Sequence, residues 1–357
     1  MGPRLLTLVL AAGPALAQLP QVGADPRIEL LSIVFHLAGS PEFNRPETPA
    51  YRESIHLYFG PFKNDEAIQM ARELREKQGI DGQAVMSLAV NLKDASTLAE
   101  RVPFDSPDSQ LDKKWKVADA RRFVAALRRF VERTKYSEFV TAQEAIYDNA
   151  RYRMELLLKT QADLGWFDRF FGARPGARLI VAPGLLNGTK NYTVRVRAED
   201  GREEIYAIPG VWMIDVAKQP VFDASFLPLI LHQLARSYVD PLVDRSPALE
   251  RAGDAIYKKA SSQAKPLGYS NGRTLVSDSL ARASVARYLL AQEGMPAAKE
   301  ALRQDEAQSF YWIGEVFDLL GRYEADRKHY PTFESFLPKV TDYFESLAAR
   351  ASTTARN

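Results

Sequence analysis

A chain of 357 residues with 46% hydrophobic content has enough apolar material for one large domain or two intimate ones, and disorder is expected only at the ends. It has no cysteine, which removes disulfides, thiolate ligands and cysteine nucleophiles, so any metal centre must use His and carboxylates. A net charge of +2 gives no electrostatic case for nucleic acid.

Residues 1–17 read as a signal peptide, with Arg4 ahead of the apolar run Leu5 to Ala12 and a small-residue ending Ala15-Leu16-Ala17. That run is shorter than the roughly 20 residues a bilayer requires, and Gly13-Pro14 interrupts it. The expectation is an exported protein, periplasmic or extracellular, starting at Gln18 and without a membrane span after cleavage. Removing Arg4, the one charged side chain of that segment, takes the net charge from +2 to +1.

Residues 18–172 read as a helical half. Arg27 to Ala38 form a buried helix stopped by Gly39, with His36 in the core. Asn64-Asp65-Glu66 combine a candidate N-cap with first-turn acids, and Gly79 ends the helix that follows. After a Pro/Asp/Ser-rich loop over 101–109 comes a long amphipathic helix with Phe123, Ala126, Leu127, Phe130 and Val131 as its apolar stripe, then another over 137–158.

Residues 173–350 change character. A small sheet is expected over about 177–214: Leu179 to Val181, the alternating Tyr192 to Arg197, a turn at Asp200-Gly201 and a return strand Glu203 to Ile208. A helix over about 225–240 follows, with Ser225 as its cap, Pro228 tolerated in its first turn and Pro241 as its stop. Further helices are expected over 277–292 and 306–320, and residues 351–357 read as a frayed tail.

The chemistry-bearing run is His232-Gln233-Leu234-Ala235-Arg236, on the helix that comes directly after the sheet. In the zinc-peptidase motif H-E-x-x-H, two His one helical turn apart bind the metal and the Glu activates its water. With Ser237-Tyr238-Val239-Asp240-Pro241-Leu242-Val243 the chain resembles a bacterial secreted family known as a domain of unknown function, whose members carry H-E-x-x-H before such an ending. The stretches Ile28 to Ile33, Leu37 to Gly39, Trp166-Phe167, Phe170 to Gly172, Leu186 to Gly188 and Asn191-Tyr192 carry the resemblance over most of the mature chain.

That resemblance implies an α+β, predominantly helical, zincin-like fold of the gluzincin type, with the third ligand falling on Asp278. An edge strand beside the metal helix would be able to hold an extended peptide. The departures are sharp. Gln233 has no ionisable carboxylate to act as base, and Arg236 puts a positive charge where a divalent cation must sit.

His232 and Asp278 remain as candidate metal ligands, with zinc as the alternative to an expectation of no cofactor. An ion pair from Arg236 to Asp278 in place of the metal would join the two helices. Equally, Arg236 facing solvent and Asp278 serving as first-turn acid beside Ser277 fit the sequence. Three functions stay open: a degenerate peptidase binding peptide or protein in a cleft, an active hydrolase with non-standard ligands, and an interaction protein with a filled cleft. His36, His56 and His329 have no ligand-like spacing.

Overall fold

The computed structural model describes residues 20–172, 177–198, 200–264, 269, 271–307 and 310–354; the expected signal segment lies outside them. Helices dominate, around a small mixed sheet. α1 (Pro26–Leu37) starts at Asp25, whose side chain accepts from Arg27 N–H. Ten of its twelve residues are buried, which is why its apolar residues show no one-sided stripe. α2 (Pro49–Phe59) and α3 (Glu66–Gln78) follow; Asp65 caps α3, and Gly79, at φ 68°, closes it in the left-handed region. α4 (Gly82–Val90) and α5 (Val117–Thr134) come next, the latter burying Phe123, Ala126, Leu127 and Phe130 while Val131 is half-buried.

The helix expected over 137–158 is two: α6 (Tyr136–Ala142) and α7 (Glu144–Gln161), broken at Gln143. α8 (Gly165–Phe171) carries four buried aromatics, Trp166, Phe167, Phe170 and Phe171.

The sheet runs β1-β2-β4-β3. β1 (Gln21–Val22) and β2 (Ala177–Val181) are parallel, as are β2 and β4 (Glu203–Ile208), while β3 (Tyr192–Arg197) returns antiparallel to β4. Gly201, at φ 78°, makes the β3–β4 turn possible. β5 (Met213–Ile214) and β6 (Pro220–Val221) form a separate ribbon. β3 is an edge strand, yet Gln83 Nε2 donates to the Thr193 carbonyl at 2.9 Å and Arg197 pairs with Asp108, so part of that edge is already taken.

α9 (Leu227–Asp244) begins two residues later than expected and runs four residues further. Its approach is a short 3-10 turn capped by Asp223, which accepts from Ser225 N–H, so Asp223 and not Ser225 does the capping. Pro228 sits in the first turn, as the sequence suggested, but Pro241 lies inside the helix and does not stop it. Proline removes one backbone donor, and a helix held on both sides by packing can absorb that loss.

α10 (Pro247–Ala264), α11 (Gly272–Glu293), α12 (Met295–Ala307), α13 (Ile313–Ala325) and α14 (Phe333–Thr354) complete the chain. The helix expected from Glu306 to Leu320 is therefore split: α12 ends at Ala307 and α13 begins at Ile313. Between them buried Trp312 donates from Nε1 to Ser279 Oγ at 2.9 Å, an anchor that a continuous helix would rotate away. The first four residues of the expected tail belong to α14. α10 and α11 approach closely because glycines face each other; a Cβ on Gly272 would lie 2.0 Å from the Gly253 carbonyl carbon.

One apolar cluster runs from Ile28 to Ala348, so both halves share a core. Among the described residues no helix is long and apolar enough to cross a membrane.

Candidate functional site

α9 lies against the sheet on one side and α11 on the other. This places His232, Arg236 and Asp278 together. Asp278 is almost fully buried, and His232 Nε2 lies 2.8 Å from its Oδ1. The contact is an ion-pair distance, with the ring N–H directed off the line of a hydrogen bond. Asp278 sits in the interior of α11, which starts at Gly272 behind the Asn271 cap, so the first-turn explanation of its charge does not apply.

The tautomer of His232 follows from its other nitrogen. Gln233 Nε2 lies 3.2 Å from His232 Nδ1, and an amide nitrogen only donates, so Nδ1 accepts. The ring proton then belongs on Nε2, the nitrogen nearer the Asp278 carboxylate. The Gln233 carbonyl oxygen is buried without a hydrogen-bond partner, an unsatisfied group in the middle of the site.

Asp278 is surrounded by donors. Arg282, one turn later on α11, donates from Nε to Oδ2 at 2.7 Å, and the Tyr269 hydroxyl donates to the same oxygen. Arg236 Nη1 stands 3.9 Å from Oδ1. Burial by itself would raise this carboxyl's pKa, but His232, Arg282 and Arg236 outweigh it and hold Asp278 well below the usual carboxylate range. Arg282 extends the network outward to Asp305 on α12 and lies over the Phe310 ring, 4.6 Å from its centroid.

Arg236 is half-buried rather than solvent-facing, and its fork goes chiefly to Asp240: Nε to Oδ1 at 3.1 Å and Nη2 to Oδ2 at 3.0 Å. Arg195, from β3, meets Asp240 Oδ2 at 2.5 Å. Burial would raise Asp240 as well, and Arg195 and Arg236 pull it below its ordinary value. The shorter link from α9 to Asp278 is thus His232, with the Arg236 to Asp278 contact a longer second one, and Arg273 to Asp244 joins the same two helices further along. Arg236 is the hinge between two anionic centres, Asp278 and Asp240.

Beside His232 opens a groove of about 950 Å³. Leu227, Leu231 and His232 from α9, Val285 and Tyr288 from α11 and Asp305 from α12 contribute to its walls. No residue of β2, β3 or β4 lines it, so the sheet edge expected to pair with a peptide lies elsewhere and the groove is a helical one.

Two further clusters escaped sequence reasoning. Glu29, on α1, is fully buried; it accepts from the Tyr51 hydroxyl at 2.7 Å and from Leu185 N–H at 2.9 Å, and Tyr51 meets the Tyr147 hydroxyl at 2.8 Å. Burial pushes its carboxyl up to about 7 against these two hydrogen bonds. An acid inside an apolar run was its one signal. His36 Nε2 lies 3.3 Å from His56 Nε2 although 20 residues separate them, a pairing that spacing along one helix does not reveal.

A family model described as a domain of unknown function, DUF4932, matches residues 21–342. No curated protein and no solved structure matches the chain.

Proposed function

The chain belongs to the DUF4932 family, and from that footing we propose that it is an exported, zincin-like homologue of gluzincin peptidases that has lost hydrolysis and zinc binding at the His232 motif and binds peptide or protein in the groove beside it. The observation that carries this reading is the occupation of Asp278: Oδ1 faces His232 and Arg236, and Oδ2 takes Arg282 and Tyr269. A catalytic zinc needs three protein donors with lone pairs or negative charge turned to one point. Here one position is a guanidinium, the His232 proton is assigned to the nitrogen that would have to coordinate, and the carboxylate is already neutralised.

The residues around His232 do not fit a zinc centre. Gln233 adds a second obstacle, because its amide cannot take a proton from water. What the site retains is a fixed arrangement of cations and carboxylates next to an open apolar-floored groove, which suits recognition rather than turnover.

The test compares zinc content in the purified wild-type chain and in His232→Ala, together with cleavage of a mixed peptide library. The expected result is no cleavage, with or without a chelator, and zinc content untouched by the substitution. Stoichiometric zinc lost with His232, or cleavage abolished by chelator, would restore the active-hydrolase reading. The paired substitution Gln233→Glu with Arg236→His should create zinc binding that depends on His232.

A further inference from the structure

Apart from the groove, the structure brings together two of the four histidines of the chain in a second place. His36 occupies the last turn of α1 and His56 the last turn of α2. His36 is buried and His56 exposed. We propose that His36 and His56 form a two-imidazole site for a divalent transition-metal ion of the zinc and copper class.

The geometry suits one shared ion. Two nitrogens each about 2.0–2.1 Å from a metal, at a tetrahedral angle, stand about 3.3 Å apart; the observed Nε2 to Nε2 separation is 3.3 Å. The ring centroids are 4.9 Å apart and the planes inclined by 52°.

The outer contacts fit too. His36 Nδ1 lies 2.9 Å from the Phe43 carbonyl oxygen, which accepts only, so the proton sits on Nδ1 and the lone pair of Nε2 faces His56. This is the arrangement that orients a ligating imidazole and raises its basicity. Both rings lie near helix C-termini, where the backbone dipole favours positive charge. The burial of His36, and after it Arg52, one turn before His56 on α2, oppose a cation and limit its affinity.

Among the described residues no group of three His, Asp or Glu is placed to hold a metal, so the remaining coordination positions fall to solvent at the exposed His56 side. Imidazole donors of this kind favour Zn²⁺, Cu²⁺ and Ni²⁺ over calcium or magnesium.

Equilibrium dialysis of the full chain against Zn²⁺ alone near neutral pH tests the site, with thermal melts confirming that each variant folds. One zinc per chain is expected in the wild type and in His232→Ala, weakened about tenfold or more by His56→Ala, an exposed position. Absence of binding in the wild type, binding indifferent to His56→Ala, or binding lost with His232→Ala each overturns the proposal. The last outcome alone would also overturn the reading of the His232 site.

Discussion

Asp278 and Glu29 are carboxyls sealed in the same apolar cluster, and they titrate in opposite directions. Asp278 faces His232, Arg236 and Arg282 and stays ionised far below the usual range. Glu29 has only neutral hydrogen-bond donors, Tyr51 and Leu185 N–H, and burial pushes it up to about 7. Depth is equal; the difference lies in who stands beside the oxygens. A carboxylate walled in by cations is a fixed anion, whereas one walled in by hydroxyl and amide is a proton store.

The largest blow to this contrast is Asp278→Asn, which leaves His232, Arg236 and Arg282 around a neutral amide. Removing one member of a buried charge network costs roughly 3–5 kcal/mol, and denaturant unfolding should show a loss of that order. A cost below about 1 kcal/mol would mean that the guanidiniums escape to solvent and the network is not structural.

Next in size is the pH profile. Because the folded pKa of Glu29 lies above its ordinary 4.5, its contribution is fully present below that value and is lost as pH rises through about 7. The shift corresponds to about 3 kcal/mol, an upper figure for a group with such strong partners. Asp278 has the reverse sign: its contribution is present above its ordinary 3.8 and is lost as pH falls below it. Glu29→Gln should remove the loss of stability between pH 4.5 and 7 while leaving the acid side unchanged. A profile unaltered by Glu29→Gln would show that the carboxyl titrates alike in the folded and unfolded chain and contributes no linkage.

A smaller effect separates the two ends of the Glu29 network. Tyr147→Phe deletes one hydroxyl but leaves Tyr51 donating to Glu29, so a cost of about 1 kcal/mol is expected by chemical denaturation. If the cost matched that of removing Tyr51, the three groups would be acting as one unit.

How much of this was legible depends on whether the cause was local. The β3–β4 hairpin was readable because Asp200-Gly201 and strict alternation act within a few residues. The first-turn proline of α9 was readable for the same reason. Pro241 and Asp278 misled, each by a rule that holds for an isolated helix: proline stops, and an acid after serine starts. Here packing against the sheet carries α9 past Pro241, and α11 begins six residues before Asp278 at Gly272.

In the site itself, the run from His232 to Arg236 disclosed which chemistry was missing, but not that Arg236 would turn to Asp240 or that Arg282 would take its place on Asp278. The latter choices depend on helix rotation and crossing, which no single segment encodes. The His36 and His56 pair is the extreme case, since two helices must meet end to end before the spacing exists.

The long reach of α1 governs how the molecule must assemble. Its Glu29 waits for Leu185, 156 residues later, and Arg27 for Tyr206, 179 later, while β1 has no neighbour until β2 is made. Closing such loops costs entropy before any contact repays it, so these contacts of α1 are expected to form late, after its packing on α3 and α4. Until residue 208 completes β4, β2 lacks a partner strand and Arg27 lacks Tyr206, and chains truncated before that point should collect as insoluble material.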